Sequence, residues 1–276
     1  MTVGICGLGL IGGSMAKAYK AAGHTVLGYD KNTASLGYAA LAGITDGVLD
    51  ESTVPSCNLI FIALYPRAAI KYLEEIAPII NKSAVVIDLC GTKKQICDAG
   101  FALSKKHGFT FVGGHPMAGT QYSGIKYSKA TLFKNAPMVL VPDTCDDIYF
   151  LDNVKKLLSP AMFGKITVTT AEKHDAMIAF TSQLAHVVSN AYVKSPTAQS
   201  HKGFSAGSYK DMTRVAWLNE YMWTELFLEN KEPLLFEIDS IIKSLSEYRN
   251  AIAEDDADTL RSLLRDGRIA KEQVDG

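Results

Sequence analysis

A histidine set among glycines and a proline, Gly113-Gly114-His115-Pro116-Met117-Ala118-Gly119, offers a proton acceptor on constrained, close-approach backbone. An unperturbed imidazole titrates near ~6.5, so it can take a proton from a hydroxyl at neutral pH. Upstream, Gly7-Leu8-Gly9-Leu10-Ile11-Gly12 has the G-x-G-x-x-G spacing. There the first glycine permits a tight turn, the second lets a pyrophosphate approach the backbone, and the third allows close helix–strand packing. The helix that opens at Leu10 and Ile11 supplies N–H donors and the positive end of its dipole. Asp30 ends the next apolar run, about 20 residues on, where this fingerprint places an acid that accepts from the adenosine ribose. A carboxylate there repels a 2′-phosphate. NAD is therefore expected and NADP disfavoured, although Lys31 softens the repulsion.

These residues need a sheet edge to bring them together, and the first half of the chain supplies one. Apolar runs at Val3–Cys6, Thr25–Tyr29, Leu59–Leu64, Ala84–Leu89, Thr110–Val112 and Met138–Val141 alternate with helical stretches such as Met15–Ala22, Ala68–Ile80 and Lys94–His107. Continuously apolar runs are strands buried on both faces, and the βαβ rhythm predicts an open, doubly wound α/β sheet of Rossmann type. In such sheets ligands bind at the carboxyl ends of the strands. That places Leu64, Cys90 and Gly91 on the cofactor side, and His115 in the loop directly after a strand.

Near Ile166–Thr169 the rhythm stops. Ala171–Val193, Ser208–Glu229, Pro233–Asn250 and Asp255–Arg265 read as helices, with Pro233 in a first turn. The expected organisation is a Rossmann domain over residues 1–168 and an all-helical domain over residues 169–276. On the first of these helices Ser182 and His186 stand four residues apart and share a face.

The bulk composition excludes other classes. With 276 residues, 47% hydrophobic and a formal charge of -1, the chain has no electrostatic footprint for nucleic acid or an anionic membrane. Five cysteines, Cys6, Cys57, Cys90, Cys97 and Cys145, form no CxxC pair. A reduced, cytoplasmic protein without disulfides or a metal is expected. No histidine neighbours Cys90 in sequence, so it reads as packed and not nucleophilic. The first strand starts at Thr2, so no secretory leader is expected.

Taken in order, GLGLIGGS at Gly7–Ser14, HPMAG at His115–Gly119, His174-Asp175, Ser182-Gln183-Leu184-Ala185-His186 and Lys210-Asp211-Met212-Thr213-Arg214 resemble the prephenate/arogenate dehydrogenases of tyrosine biosynthesis. The resemblance implies a Rossmann domain followed by a helical dimerisation domain, and hence a homodimer. It implies oxidative decarboxylation of prephenate to 4-hydroxyphenylpyruvate with reduction of NAD, or the equivalent reaction of arogenate to tyrosine. By similarity His115 accepts the proton of the ring hydroxyl. Arg214 holds a substrate carboxylate, His186 lines the substrate pocket, and Ser182 is a polar contact nearby. His174-Asp175 reads as a structural feature at a helix start.

Two departures bear on the substrate. Many relatives carry a serine where this chain has Gly91, which leaves Thr92 as the hydroxyl that would have to reach in its place. Some carry an acid where this chain has Gln121; the neutral amide favours prephenate over the amino-bearing arogenate. Neither a fused mutase domain nor a fused regulatory domain is expected. Two rival readings share the same halves: a β-hydroxyacid dehydrogenase, and a silent NAD-sensing protein. Neither has a use for HPMAG together with Arg214.

Overall fold

Each apolar run of the first half forms a strand, and a computed structural model describes residues 1–120, 122–144 and 147–275. The chain divides into two units, Met1–Asn230 and Lys231–Gly276. The first holds the strands β1 (Thr2–Cys6), β2 (Thr25–Tyr29), β3 (Gly47–Val48), β4 (Leu59–Ile62), β5 (Val85–Asp88), β6 (Thr110–Pro116), β7 (Pro137–Val141) and β8 (Lys165–Val168). They make one sheet in the order β3-β2-β1-β4-β5-β6-β7-β8. Neighbours run parallel except at β6–β7. The strand order reverses between β1 and β4, which opens the crevice where doubly wound sheets bind ligands.

Helices α1 (Leu10–Ala21), α2 (Thr33–Leu41), α3 (Pro66–Ile76), α4 (Lys94–His107) and α5 (Ile148–Leu157) cover the sheet. In β4, Leu59 and Phe61 enter a core with Met15 and Tyr19 of α1, while Ile60 and Ile62 enter another with Leu73 of α3 and Ile96 of α4. All four are fully buried. A strand buried on both faces shows no polar alternation, which is why the run is apolar throughout.

One expectation is corrected here. His115 is not in a loop after a strand, because β6 continues through Pro116. Its first half pairs with β5 in parallel, and its second half pairs with β7 in antiparallel register, His115 opposite Val139. The change of partner keeps the backbone extended where the sequence pattern, rich in glycine, reads as a break.

The remaining helices of the first unit depart from the predicted spans in informative ways. α6 (Ala171–Ile178) and α7 (Ala185–Tyr192) are joined by a π-helical turn at Ala179–Leu184. The predicted span Ser208–Glu229 is two helices, α8 (Gly207–Thr213) and α9 (Glu220–Glu229). Asn219 breaks it, its side chain accepting from the Met222 N–H at 3.0 Å to cap α9. Asparagine serves better as a cap than inside a helix. The second unit holds α10 (Lys231–Ala253), with Pro233 in its first turn, and α11 (Ala257–Asp275). Within it the Tyr248 hydroxyl donates to the Leu263 carbonyl at 3.1 Å. No described helix is long and apolar enough to cross a membrane.

One buried ion pair ties the end of β5 to β6. Lys93 and Asp88 expose no side-chain surface. The Lys93 ammonium pairs with Asp88 Oδ2 and donates to the Gly114 carbonyl at 2.7 Å. Asp88 Oδ2 also accepts from the Cys90 N–H at 2.9 Å, and Oδ1 accepts from the Gly114 N–H at 3.2 Å. Burial by itself would push the ammonium pKa down, but the adjacent Asp88 carboxylate raises it above its ordinary value. Removing one member of a buried pair strands the other charge. Lys93→Met is therefore expected to destabilise the protein by about 3–5 kcal/mol in urea unfolding. A loss below about 1 kcal/mol would show that Asp88 has other support.

Candidate active site

The turn after β1 is built for close approach. Gly7 has φ +89°, and a Cβ on it would stand 2.4 Å from the Ala63 carbonyl oxygen; on Gly12 a Cβ would stand 1.8 Å from the Gly7 oxygen. Nothing lies within 4 Å of the corresponding position on Gly9, so its face is open to a ligand. No side chain caps α1, and no acid stands in its first turn. The N–H groups and positive dipole end at Leu10 and Ile11 are thus left for an anion. Asp30 secures this geometry: Oδ2 accepts from the Leu8 N–H at 2.7 Å and Oδ1 from the Asn32 N–H at 2.8 Å. Each oxygen keeps a lone pair for a further donor, and the negative charge remains.

At the carboxyl ends of β4 and β5, Leu64 and Cys90 come together, the Cys90 thiol approaching the Leu64 carbonyl at 3.5 Å. Burial holds that thiol well above its usual pKa, so it is packed and neutral. Gly91 faces α9, where a Cβ would meet the Leu226 side chain at 3.4 Å. Thr92 is buried, and its hydroxyl donates to Glu229 Oε2 at 3.0 Å.

His115 stands at the end of a chain of hydrogen bonds. Its Nδ1 is 2.9 Å from His174 Nε2, and His174 Nδ1 is 2.7 Å from Asp175 Oδ1. The carboxylate can only accept, so His174 carries its proton on Nδ1 and presents a bare Nε2. His115 must then donate from Nδ1, which leaves Nε2 with a free lone pair. Burial, then the neighbouring His174 and Lys93, hold the His115 pKa well below its ordinary value; burial also lowers His174 despite Asp175. A neutral imidazole with an open acceptor is what a proton abstraction requires.

Asp175 is fixed in turn. Its Oδ1 accepts from the Lys93 N–H at 2.8 Å and Oδ2 from the Lys94 N–H at 2.9 Å. Asn230 donates to the Asp175 carbonyl at 2.8 Å and to Gln183 Oε1 at 2.7 Å, and Gln183 donates to the Leu226 carbonyl at 3.1 Å. Sequence reading assigns His174-Asp175 to structure alone, and gives no role to Asp88, Lys93, Gln183 or Asn230. A signal was present: a lone acid ends the apolar run Val85-Val86-Ile87-Asp88, and a lysine follows five residues later.

The second group of predicted residues lies in the π-helical turn, on α7 and at the end of α8. His186 donates from Nδ1 to the Ser182 carbonyl at 2.8 Å and packs against Trp223 with centroids 3.9 Å apart, the rings tilted by 31°. The Ser182 contact is thus through its backbone, inside the π-helical turn. Such turns recur at functional sites because they re-aim backbone and side chains. Burial lowers the His186 pKa, the Ser182 carbonyl raises it, and the nearby Arg214 lowers it further. Arg214 is exposed, and its guanidinium makes no ion pair among the described residues. Gln121 lies outside the described residues. Among the described residues no group of three His, Cys, Asp or Glu could hold a metal ion.

Comparison with known proteins places this geometry in context. The family described as prephenate dehydrogenase, nucleotide-binding domain, matches residues 15–166; its dimerization domain matches residues 170–266. The prephenate dehydrogenase of Bacillus subtilis is 30% identical over 100% of this chain and 76% of its own length. The cyclohexadienyl dehydrogenase of Zymomonas mobilis is 30% identical over 98% of this chain and 94% of its own. Among solved structures, prephenate dehydrogenase from A. aeolicus, in complex with hydroxyphenyl propionate and NAD+, superposes with a TM-score of 0.84. It is 29% identical, and the match covers 100% of this chain and 98% of that one.

The hydrogen-bond directions make a spectroscopic prediction. At pH 6.5, the ordinary pKa of a histidine, His115 is expected to be neutral with the proton on Nδ1, because burial lowers its pKa. Long-range ¹⁵N–¹H spectra of histidine-labelled protein would read this directly. An imidazolium, or a proton on Nε2, at that pH would contradict the relay.

Proposed function

The chain belongs to the prephenate dehydrogenase family, and from that premise we propose that it converts prephenate to 4-hydroxyphenylpyruvate by NAD-dependent oxidative decarboxylation. The observation that carries the reading is the neutral His115–His174–Asp175 relay, set at the carboxyl edge of a sheet whose first turn is open to a pyrophosphate. The substrate is a cyclohexadienol with a ring carboxylate and a side-chain carboxylate. NAD, when bound, would supply the acceptor for the hydride of the carbinol carbon. His115 Nε2 takes the hydroxyl proton as that hydride leaves, and the ring carboxylate departs as CO₂. The electron pair left in the ring makes it aromatic, and His115 returns the proton to the ring oxygen as the phenol forms. Aromatisation supplies the driving force, so the residues mainly position groups and carry one proton.

Each neighbour has a task in this reading. Asp175, held by two backbone N–H groups, stabilises the transient imidazolium through His174. Arg214 has no protein carboxylate to engage and is left to grip one on the substrate with its planar fork. His186, packed against Trp223 close to Arg214, walls that end of the site. Asp30 turns the adenosine end toward NAD and away from NADP. Thr92 supplies a lone pair near the missing serine, its proton being given to Glu229.

The helical segments expose Met177, Phe180, Tyr192, Trp217, Tyr221 and Leu228. Side chains of that size left in water favour burial against a second copy. We therefore read the protein as a homodimer, and light scattering should give twice the 29.9 kDa chain mass. The Zymomonas relative supports one second reading, a dehydrogenase that takes both prephenate and arogenate.

NADH formation from prephenate and from arogenate, each repeated with NADP, separates these readings. Prephenate with NAD should be the fastest pair, and inactivity on both substrates would sink the proposal. His115→Asn is expected to lower kcat by about 10²–10⁴-fold, with the Kd for NAD changed less than about twofold. Arg214→Lys should raise KM by about tenfold or more, because a point charge cannot reproduce the fork. An unchanged KM would remove Arg214 from the site.

A further inference from the structure

The catalytic reading leaves one buried acceptor unused. Glu229 ends α9, and its two carboxylate oxygens stand in different situations. Oε2 accepts from the Thr92 hydroxyl, whereas Oε1 is inaccessible to water and has no hydrogen-bond partner among the described residues. An unsatisfied buried oxygen is costly, and native structures keep few of them. A small rotation of the carboxylate that brings Oε1 onto a ligand's donor would remove that cost.

The surroundings hold Glu229 firmly in place. Gln183 binds the Leu226 carbonyl, and Asn230, the next residue, is tied to both Gln183 and the Asp175 carbonyl. Leu226 packs against Gly91, which presses α9 onto the loop that follows β5. Burial, followed by the neighbouring carboxylates Glu225 and Asp175, raises the Glu229 pKa; the Thr92 hydroxyl and Arg67 act in the opposite sense. A carboxyl in that state is short of donors.

The position within the sheet says which donor is missing. The adenosine half of a dinucleotide lies over β1 and β2, where Asp30 stands, and the other half crosses the switch point toward β4 and β5. Cys90 and Thr92 follow β5, and Cys90 touches the backbone after β4. Glu229 therefore borders the second half of the dinucleotide. There the nicotinamide ring carries a primary carboxamide with two N–H donors. We propose that Glu229 is a cofactor-binding residue whose Oε1 accepts a hydrogen bond from the nicotinamide carboxamide, with Thr92 orienting the carboxylate through Oε2. The inference rests on the NAD reading above and adds a contact that distinguishes the amide from other groups on the ring.

Calorimetric titration of the full-length protein tests it with three ligands. NAD+ carries the amide; 3-acetylpyridine adenine dinucleotide replaces the NH₂ with a methyl group; ADP-ribose lacks the ring altogether. Wild type should bind NAD+ about tenfold or more tightly than the acetylpyridine analogue, the scale of one hydrogen bond to a charged group. Glu229→Ala should weaken NAD+ by a similar factor and leave the other two ligands within about twofold. Glu229→Gln keeps an acceptor oxygen and should stay within about threefold of wild type for all three. The proposal is overturned if wild type does not distinguish NAD+ from the analogue, a result that does not depend on any variant folding. It is overturned equally if Glu229→Ala weakens all three ligands alike, or if only the KM of an amino-bearing substrate changes. Failure of wild type to bind either NAD+ or ADP-ribose would instead count against the cofactor reading itself.

Discussion

Everything at the site depends on a lysine that never meets water. The Lys93 ammonium is buried against Asp88 and the Gly114 carbonyl, while the backbone N–H of the same residue holds Asp175. One residue thus fixes the base of the relay at one end and the strand carrying His115 at the other. A buried ion pair is not cheap, since desolvation offsets much of the Coulomb attraction. Here it does something an apolar pair could not. It satisfies Asp88, which also receives the Cys90 and Gly114 N–H groups, and so it closes the polar ends of three segments at once.

This dependence explains why the sheet and His115 could be read from sequence while the groups that support His115 could not. The alternation of apolar runs with helical stretches is local information, and strands buried on both faces write it plainly. The glycine turn with Asp30 is likewise local, because three glycines and one acid meet through a single βαβ unit. The relay is different in kind. His115, His174 and Asp175 come from β6 and α6, and Lys93 lies in a third segment; no spacing joins them. His174-Asp175 is visible as a dipeptide, but its contact with His115 exists only because α6 carries it to β6.

The misread boundaries have local physical causes. The apolar run of β6 stops at Val112 because Gly113 and Gly114 look like a break. In the fold they are the price of close packing, a Cβ on Gly114 coming within 2.6 Å of the Asp88 carbonyl oxygen. The span Ser208–Glu229 has the pattern of one helix because its apolar period persists across the gap, where the Asn219 side chain caps α9. The π-helical turn at Ala179–Leu184 is six residues long, too short to set a hydrophobic period of its own.

In the proposed reaction the relay would also reconcile two demands on a base. An imidazole used near neutral pH must stay unprotonated while waiting, yet must accept a proton when the reaction calls for it. Burial answers the first demand by lowering the pKa of His115, and taken alone it would make His115 a feeble acceptor. Asp175 answers the second. Its charge acts through His174, and its own lone pairs are steadied by two backbone N–H groups and not by a counter-cation. Backbone donors fix the carboxylate without neutralising it, so its field still reaches His115 when an imidazolium forms. A lysine side chain in direct contact with Asp175 would have cancelled that field. The fold keeps the ammonium of Lys93 for Asp88 and offers Asp175 only its amide.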